Sequence, residues 1–129
     1  MVRNQKHREA LTSIMISTHL LAVEKLCYVD HAHGPVPRSA RVCRFCKLSV
    51  ETPEHALLEC KSSATILELR RILLEKLLST APNLRQKMVD LDNVAFLKAM
   101  IFQHSTILLV AKYTHDVLEV FYSVPLHRS

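Results

Sequence analysis

One arrangement limits this chain more than any other: Cys43-Arg44-Phe45-Cys46, then eight residues, His55, four residues, and Cys60. Three thiols and an imidazole in the order C-x2-C-x8-H-x4-C form the ligand set of a structural zinc ion. Such an ion takes four Cys and His donors in a tetrahedron and leaves no position open for water. The Cys-x-x-Cys half is a tight turn that aims two sulfurs at one point. Thr52-Pro53-Glu54 reads as an N-cap, an N1 proline and a first-turn acid, which places His55 in the first turn of a short helix. Cys60 lies five residues further, about 140° round an ideal helix, so it closes the site only where that helix ends or tightens.

Other uses of these cysteines fit less well. A disulfide framework belongs to an oxidising compartment, and nothing at the N-terminus reads as an export signal. A redox Cys-x-x-Cys normally lies beside a βαβ unit, and no such pattern is present. Ordinary core cysteines would not set His55 and Cys60 at metal spacing. The reading is therefore a structural Zn2+ held by Cys43, Cys46, His55 and Cys60, in an intracellular protein of the nucleus or cytoplasm that is not secreted. Cys27 reads as a core residue. Asp30, His31 and His33 read as exposed loop residues, because four ligands already complete one shell.

Composition sets the fold class. A single glycine among 129 residues leaves few turns that need positive φ, and Leu, Ala, Glu, Lys and Arg dominate. The expectation is an all-α fold: one small helical bundle over residues 1–129 with a long C-terminal helix and an inserted CCHC turn-helix segment at 38–61. A first helix is expected over about 5–29, with Leu11, Ile14, Met15, Thr18, Ala22, Leu26 and Val29 on one stripe. Gly34, Pro35 and Pro37 end it. Lys61-Ser62-Ser63 offers the cap of a second helix over about 64–79. Its apolar side is Ile66, Leu67, Leu69, Ile72, Leu73, Leu74, Leu77 and Leu78, and its wet side Glu68, Arg70, Arg71, Glu75 and Lys76.

A short helical turn is expected over 84–89. Asp92-Asn93 then caps the longest apolar-patterned run, about 94–123. Thirty helical residues would span roughly 45 Å, more than a domain of this size needs. The run either kinks near Gln103–Thr106, forms the strut on which the other helices pack, or makes a self-association seam. Lys98, Gln103, His104 and Lys112 interrupt it and argue against a membrane span.

Arg38, Arg41, Arg44 and Lys47 recur every three residues through the approach to the cysteine turn, with Phe45 among them. They are candidates for phosphate contacts, with Phe45 as a stacking ring. The competing reading is a solvated basic face that offsets the formal −1 of three thiolates on one Zn2+. A net charge of +5 suits an anionic partner but is ordinary for a soluble protein.

Arg41-Val42-Cys43-Arg44-Phe45-Cys46, followed by Glu51-Thr52-Pro53-Glu54-His55-Ala56-Leu57-Leu58-Glu59-Cys60, resembles the reverse-transcriptase zinc-binding module that lies C-terminal to the polymerase in non-LTR retrotransposon proteins, in its fungal form. Leu21-Ala22-Val23-Glu24 upstream and Asp116-Val117-Leu118-Glu119-Val120-Phe121 downstream are similar to the helices around that module. The resemblance implies the same four ligands and a nucleic-acid-contacting accessory role in reverse transcription, with RNA or single-stranded DNA as partner. The chain carries no strand-borne aromatic-x-Asp-Asp, no phosphate-binding glycine loop and no G-x-S-x-G elbow, so no enzymatic activity of its own is expected. The alternative is a structural or interaction module whose long C-terminal helix docks a polymerase domain or a second copy.

Overall fold

The computed structural model describes residues 4–15, 21 and 37–125. The architecture is all-α. Helix α1 is Gln5–Met15, α2 is Ala64–Thr80, α3 is Leu84–Asp90, α4 is Asn93–Phe102 and α5 is Ile107–Tyr122. A 3-10 turn at Arg38–Ala40 and a π turn at His55–Glu59 flank the cysteine turn. Among the described residues no strand forms, and one antiparallel bridge joins Val42 and Val50.

Helix α5 is the strut. It packs against α1, α2, α4 and the π turn. Its buried residues Val110, Ala111, Tyr113, Thr114, Val117, Leu118 and Phe121 recur at three- and four-residue intervals along one side. Helix α1 lays Ala10, Leu11 and Ile14 into the same core, and Leu21 is fully buried in a bend. The first helix expected over about 5–29 does not run unbroken, since Leu21 lies in a bend; residues 16–20 and 22–36, with Cys27, Asp30, His31 and His33, lie outside the described residues.

The caps read from sequence form as expected. The Ser63 side chain accepts from the Ile66 N–H at 3.3 Å to start α2, and Asp92 accepts from the Ala95 N–H at 2.8 Å to start α4. The run expected as one helix over about 94–123 is two, broken at Gln103–Thr106. No proline or glycine makes this break. The fully buried Thr106 hydroxyl donates to the Met100 carbonyl at 3.1 Å, an acceptor that the helix end leaves open, and also lies 3.3 Å from the Gln103 carbonyl, which takes the Thr106 N–H at 3.1 Å. Gln103 turns outward to pair with Asn83.

Helix α2 departs from its expected faces. Its buried stripe is Ile66, Arg70, Leu73 and Leu77, while Leu67 and Ile72 are exposed. Arg70, expected on the wet side, points inward. The reason lies in the metal segment. No helix among the described residues is long and apolar enough to cross a membrane.

Candidate metal centre

The cysteine turn is a closed loop pinned at its base. The Cys43 N–H donates to the Ser49 carbonyl at 2.8 Å, the Glu51 N–H to the Arg41 carbonyl at 2.9 Å, and the Lys47 N–H to the Cys43 carbonyl at 2.9 Å. Folding back so tightly sends Lys47 into the left-handed region at φ 57°. The same fold turns amide groups onto the sulfurs. The Phe45 N–H lies 3.4 Å from Cys43 Sγ, Cys46 also offers its N–H to that sulfur, and the Leu48 and Ser49 N–H groups serve Cys46. Each cysteine thus receives amides from two and three residues ahead, a pattern that favours thiolates.

The second half begins as the sequence indicates. The Thr52 hydroxyl accepts from the His55 N–H at 3.2 Å and its carbonyl from the Ala56 N–H at 2.9 Å, with Pro53 and Glu54 in helical conformation. Beyond His55 the helix widens rather than tightens, and it ends at Cys60, where the sequence placed the closing of the site. The Cys60 N–H bonds to the His55 carbonyl at 2.8 Å, an i→i+5 bond, and Cys60 itself is extended at φ −65°, ψ 130°. The π register stacks residue 60 over residue 55, recovering the angle an α-helix would lose.

The four side chains therefore converge. Cys43 Sγ and Cys60 Sγ are 3.7 Å apart, Cys46 Sγ and His55 Nε2 are 3.4 Å apart, and all four ligand atoms lie within 4.8 Å of one another. A zinc tetrahedron with Zn–S near 2.3 Å and Zn–N near 2.05 Å has S···S edges of about 3.8 Å and S···N edges of about 3.6 Å. The closest pairs sit near those edges already, and the three cysteines are free thiols. The donor set fits a tetrahedral zinc.

Burial pushes the Cys43 thiol up to about 12. Burial also raises Cys46, but that sulfur is more open to solvent, and the amides of Leu48 and Ser49 bring it below its ordinary value. His55 Nδ1 faces Glu59 Oε1 at 3.4 Å, and Asn93 donates to Glu59 Oε2 at 2.8 Å. A proton on Nδ1 leaves the Nε2 lone pair aimed at the sulfurs, as metal-bound histidines require.

The five candidates for nucleic-acid contact do not share one surface. Arg38 and Lys47 are exposed and Arg41 is half-buried. Arg44 is buried, contrary to expectation. Its guanidinium pairs with the fully buried Glu51 at 2.7 Å and donates to the carbonyls of Phe121 at 2.7 Å and Val124 at 2.8 Å. Phe45 is half-buried in a T-shaped contact with Phe121, with centroids 4.8 Å apart. Both residues tie the cysteine turn to the end of α5.

Sequence reasoning missed Glu51, Arg70 and Tyr113. The Arg70 guanidinium donates to the Leu57 and Ala56 carbonyls at 3.0 and 3.3 Å, and the Tyr113 hydroxyl donates to the Leu57 carbonyl. Burial raises the Tyr113 pKa, so the hydroxyl stays a donor. Glu59 was within reach, since a carboxylate four residues after a histidine on one helix faces it.

No family model, curated protein or solved structure matches the chain.

Proposed function

We propose that Cys43, Cys46, His55 and Cys60 hold a structural Zn2+, and that the chain is a non-catalytic, nucleic-acid-contacting module like the tail of a retrotransposon reverse transcriptase. The carrying observation is the convergence of four soft donors within 4.8 Å from two separately built turns. Four protein ligands leave no coordination site for substrate or activated water, so the ion's chemistry is to fix the fold. The chain's residues do the rest. The amides of Phe45, Leu48 and Ser49 steady the sulfurs, and Glu59 steadies His55.

Support for nucleic acid as partner comes from the resemblance and from cations left exposed in the cysteine segment. Arg38 and Lys47 are exposed, as is Lys61 beside the ligand Cys60. With Arg44 buried and Phe45 half-buried against Phe121, this surface is narrower than the sequence indicated. The docking alternative keeps part of its expected surface: one side of α5 is covered by α1, α2 and α4, while Val94, Phe102, Leu108 and Tyr122 stay exposed.

Metal analysis of purified protein should give one zinc per chain, and its absence would remove the reading at its base. Binding to a short RNA or single-stranded DNA should weaken with salt, with a log–log slope of about −0.7 for each phosphate contact. Replacing Arg38 and Lys47 with Ala should flatten that slope by one to two contacts. Salt-insensitive binding, or none, would return the function to a structural or docking module.

A further inference from the structure

We propose that Arg70 and Tyr113 are positioning residues for the metal, acting by holding the His55–Glu59 turn in its π register so that Cys60 reaches the ion. The inference rests on the zinc-binding role of Cys43, Cys46, His55 and Cys60. In an α register the Cys60 N–H would bond to the Ala56 carbonyl and the next amide to the Leu57 carbonyl. The π bond from Cys60 to His55 O releases the first acceptor, and the extended exit at Cys60 releases the second. Ala56 is 0 % and Leu57 1 % exposed, so water cannot serve these carbonyls.

Arg70 from α2 and Tyr113 from α5 serve them instead. Arg70 Nε and Nη2 take Leu57 O and Ala56 O, Tyr113 takes Leu57 O as well, and the two side chains are themselves 3.4 Å apart. Remove these donors and the cheapest repair is the α bond back to Ala56 O. That register swings Cys60 about 140° from His55 and out of the shell. The arginine buried in the apolar stripe of α2 thereby sets the register that brings the third sulfur to the metal.

The test uses the full chain loaded with Co2+, whose thiolate charge-transfer band scales with the number of bound sulfurs. Arg70→Met and Tyr113→Phe are compared with wild type and with Cys60→Ser, each checked for retained helical circular dichroism. Arg70→Met should lose about a third of the band, approaching Cys60→Ser, as one of three thiolates leaves. Tyr113→Phe should weaken zinc binding roughly tenfold, in the range of outer-shell substitutions. Adding Arg70→Met to Cys60→Ser should change metal affinity no further, since both remove the same ligand. Arg70→Lys, which keeps one donor, should restore part of the band.

If Arg70→Met does not fold, Tyr113→Phe decides, because it deletes one hydroxyl. Folded variants with the wild-type band and affinity overturn the proposal while the zinc reading stands. Wild-type protein that binds no Co2+ or Zn2+ removes both.

Discussion

The Arg44 guanidinium meets the Phe121 carbonyl at 2.7 Å across 77 residues of chain, joining the cysteine turn to the last turn of the central helix. The contact places a cation at the negative end of α5, where the Phe121 carbonyl also accepts from the Val124 N–H at 3.1 Å. Glu51, at 0 % exposure, supplies the counter-charge and also accepts from the Arg44 amide at 2.8 Å. The cysteine turn and the C-terminal helix are thus joined through one buried ion pair.

Breaking that pair should be costly. Glu51→Gln or Arg44→Met each leaves a buried partner without its charge complement, a loss of about 3–5 kcal/mol in typical cases. Denaturant unfolding of the zinc-loaded protein should show the drop as a lower midpoint. The double replacement Arg44→Met with Glu51→Leu should recover much of it, because an apolar pair leaves no orphaned charge.

Glu59 and Asn93 should tune the metal without building the fold. Glu59 is partly exposed and touches His55 Nδ1, while Asn93 holds its other oxygen. Glu59→Ala should lower zinc affinity about 10–100-fold, as for other carboxylates behind a histidine ligand, with Asn93→Ala milder. Competition with a chromophoric chelator measures both, and unchanged helical circular dichroism separates this from unfolding.

The pH dependence has two opposite signs. In metal-free protein, burial raises the Cys43 thiol from its ordinary 9.0 to about 12. The folded state then holds this proton more tightly than the unfolded state. That contribution to stability is complete below pH 9 and is lost as pH rises towards 12. Zinc binding expels thiol protons, so its affinity should rise with pH, by about one log unit or more per pH unit near neutrality. Chelator competition at several pH values checks the second slope, and chemical denaturation of metal-free protein across the alkaline range checks the first.

Lys47 sits at φ 57°, where a side chain costs about 1–2 kcal/mol relative to glycine in the folded state. Lys47→Gly should stabilise the protein by less than that, about 0–1 kcal/mol, because glycine also frees the unfolded chain. Lys47→Val should destabilise it, since β-branching is least tolerated there. Thermal midpoints of zinc-loaded variants give the order.

Much of this could be read from short stretches. The ligand spacing, the Thr52 cap, the Ser63 and Asp92 caps and the helical class all depend on residues within a few positions of one another, and all appear as expected. Arg44 shows where such reading stops. Its three-residue rhythm with Arg38, Arg41 and Lys47 suggested a shared basic surface, yet the groups that claim it include carbonyls 77 and 80 residues away. Arg70 is similar. Composition put it among the charges of α2, while the 66-70-73-77 stripe puts it inside, where two carbonyls of the π turn wait.

The sequence by itself determined which atoms can bind a metal and where the helices begin, because ligand chemistry and capping act over a single turn of chain. Only the tertiary structure decided that the ligand helix would widen to a π turn, that Arg44 and Arg70 would turn inward, and that the long apolar run would break at Gln103–Thr106. Each of those outcomes depends on which buried polar groups come together, and that is settled only when distant segments pack and exclude water.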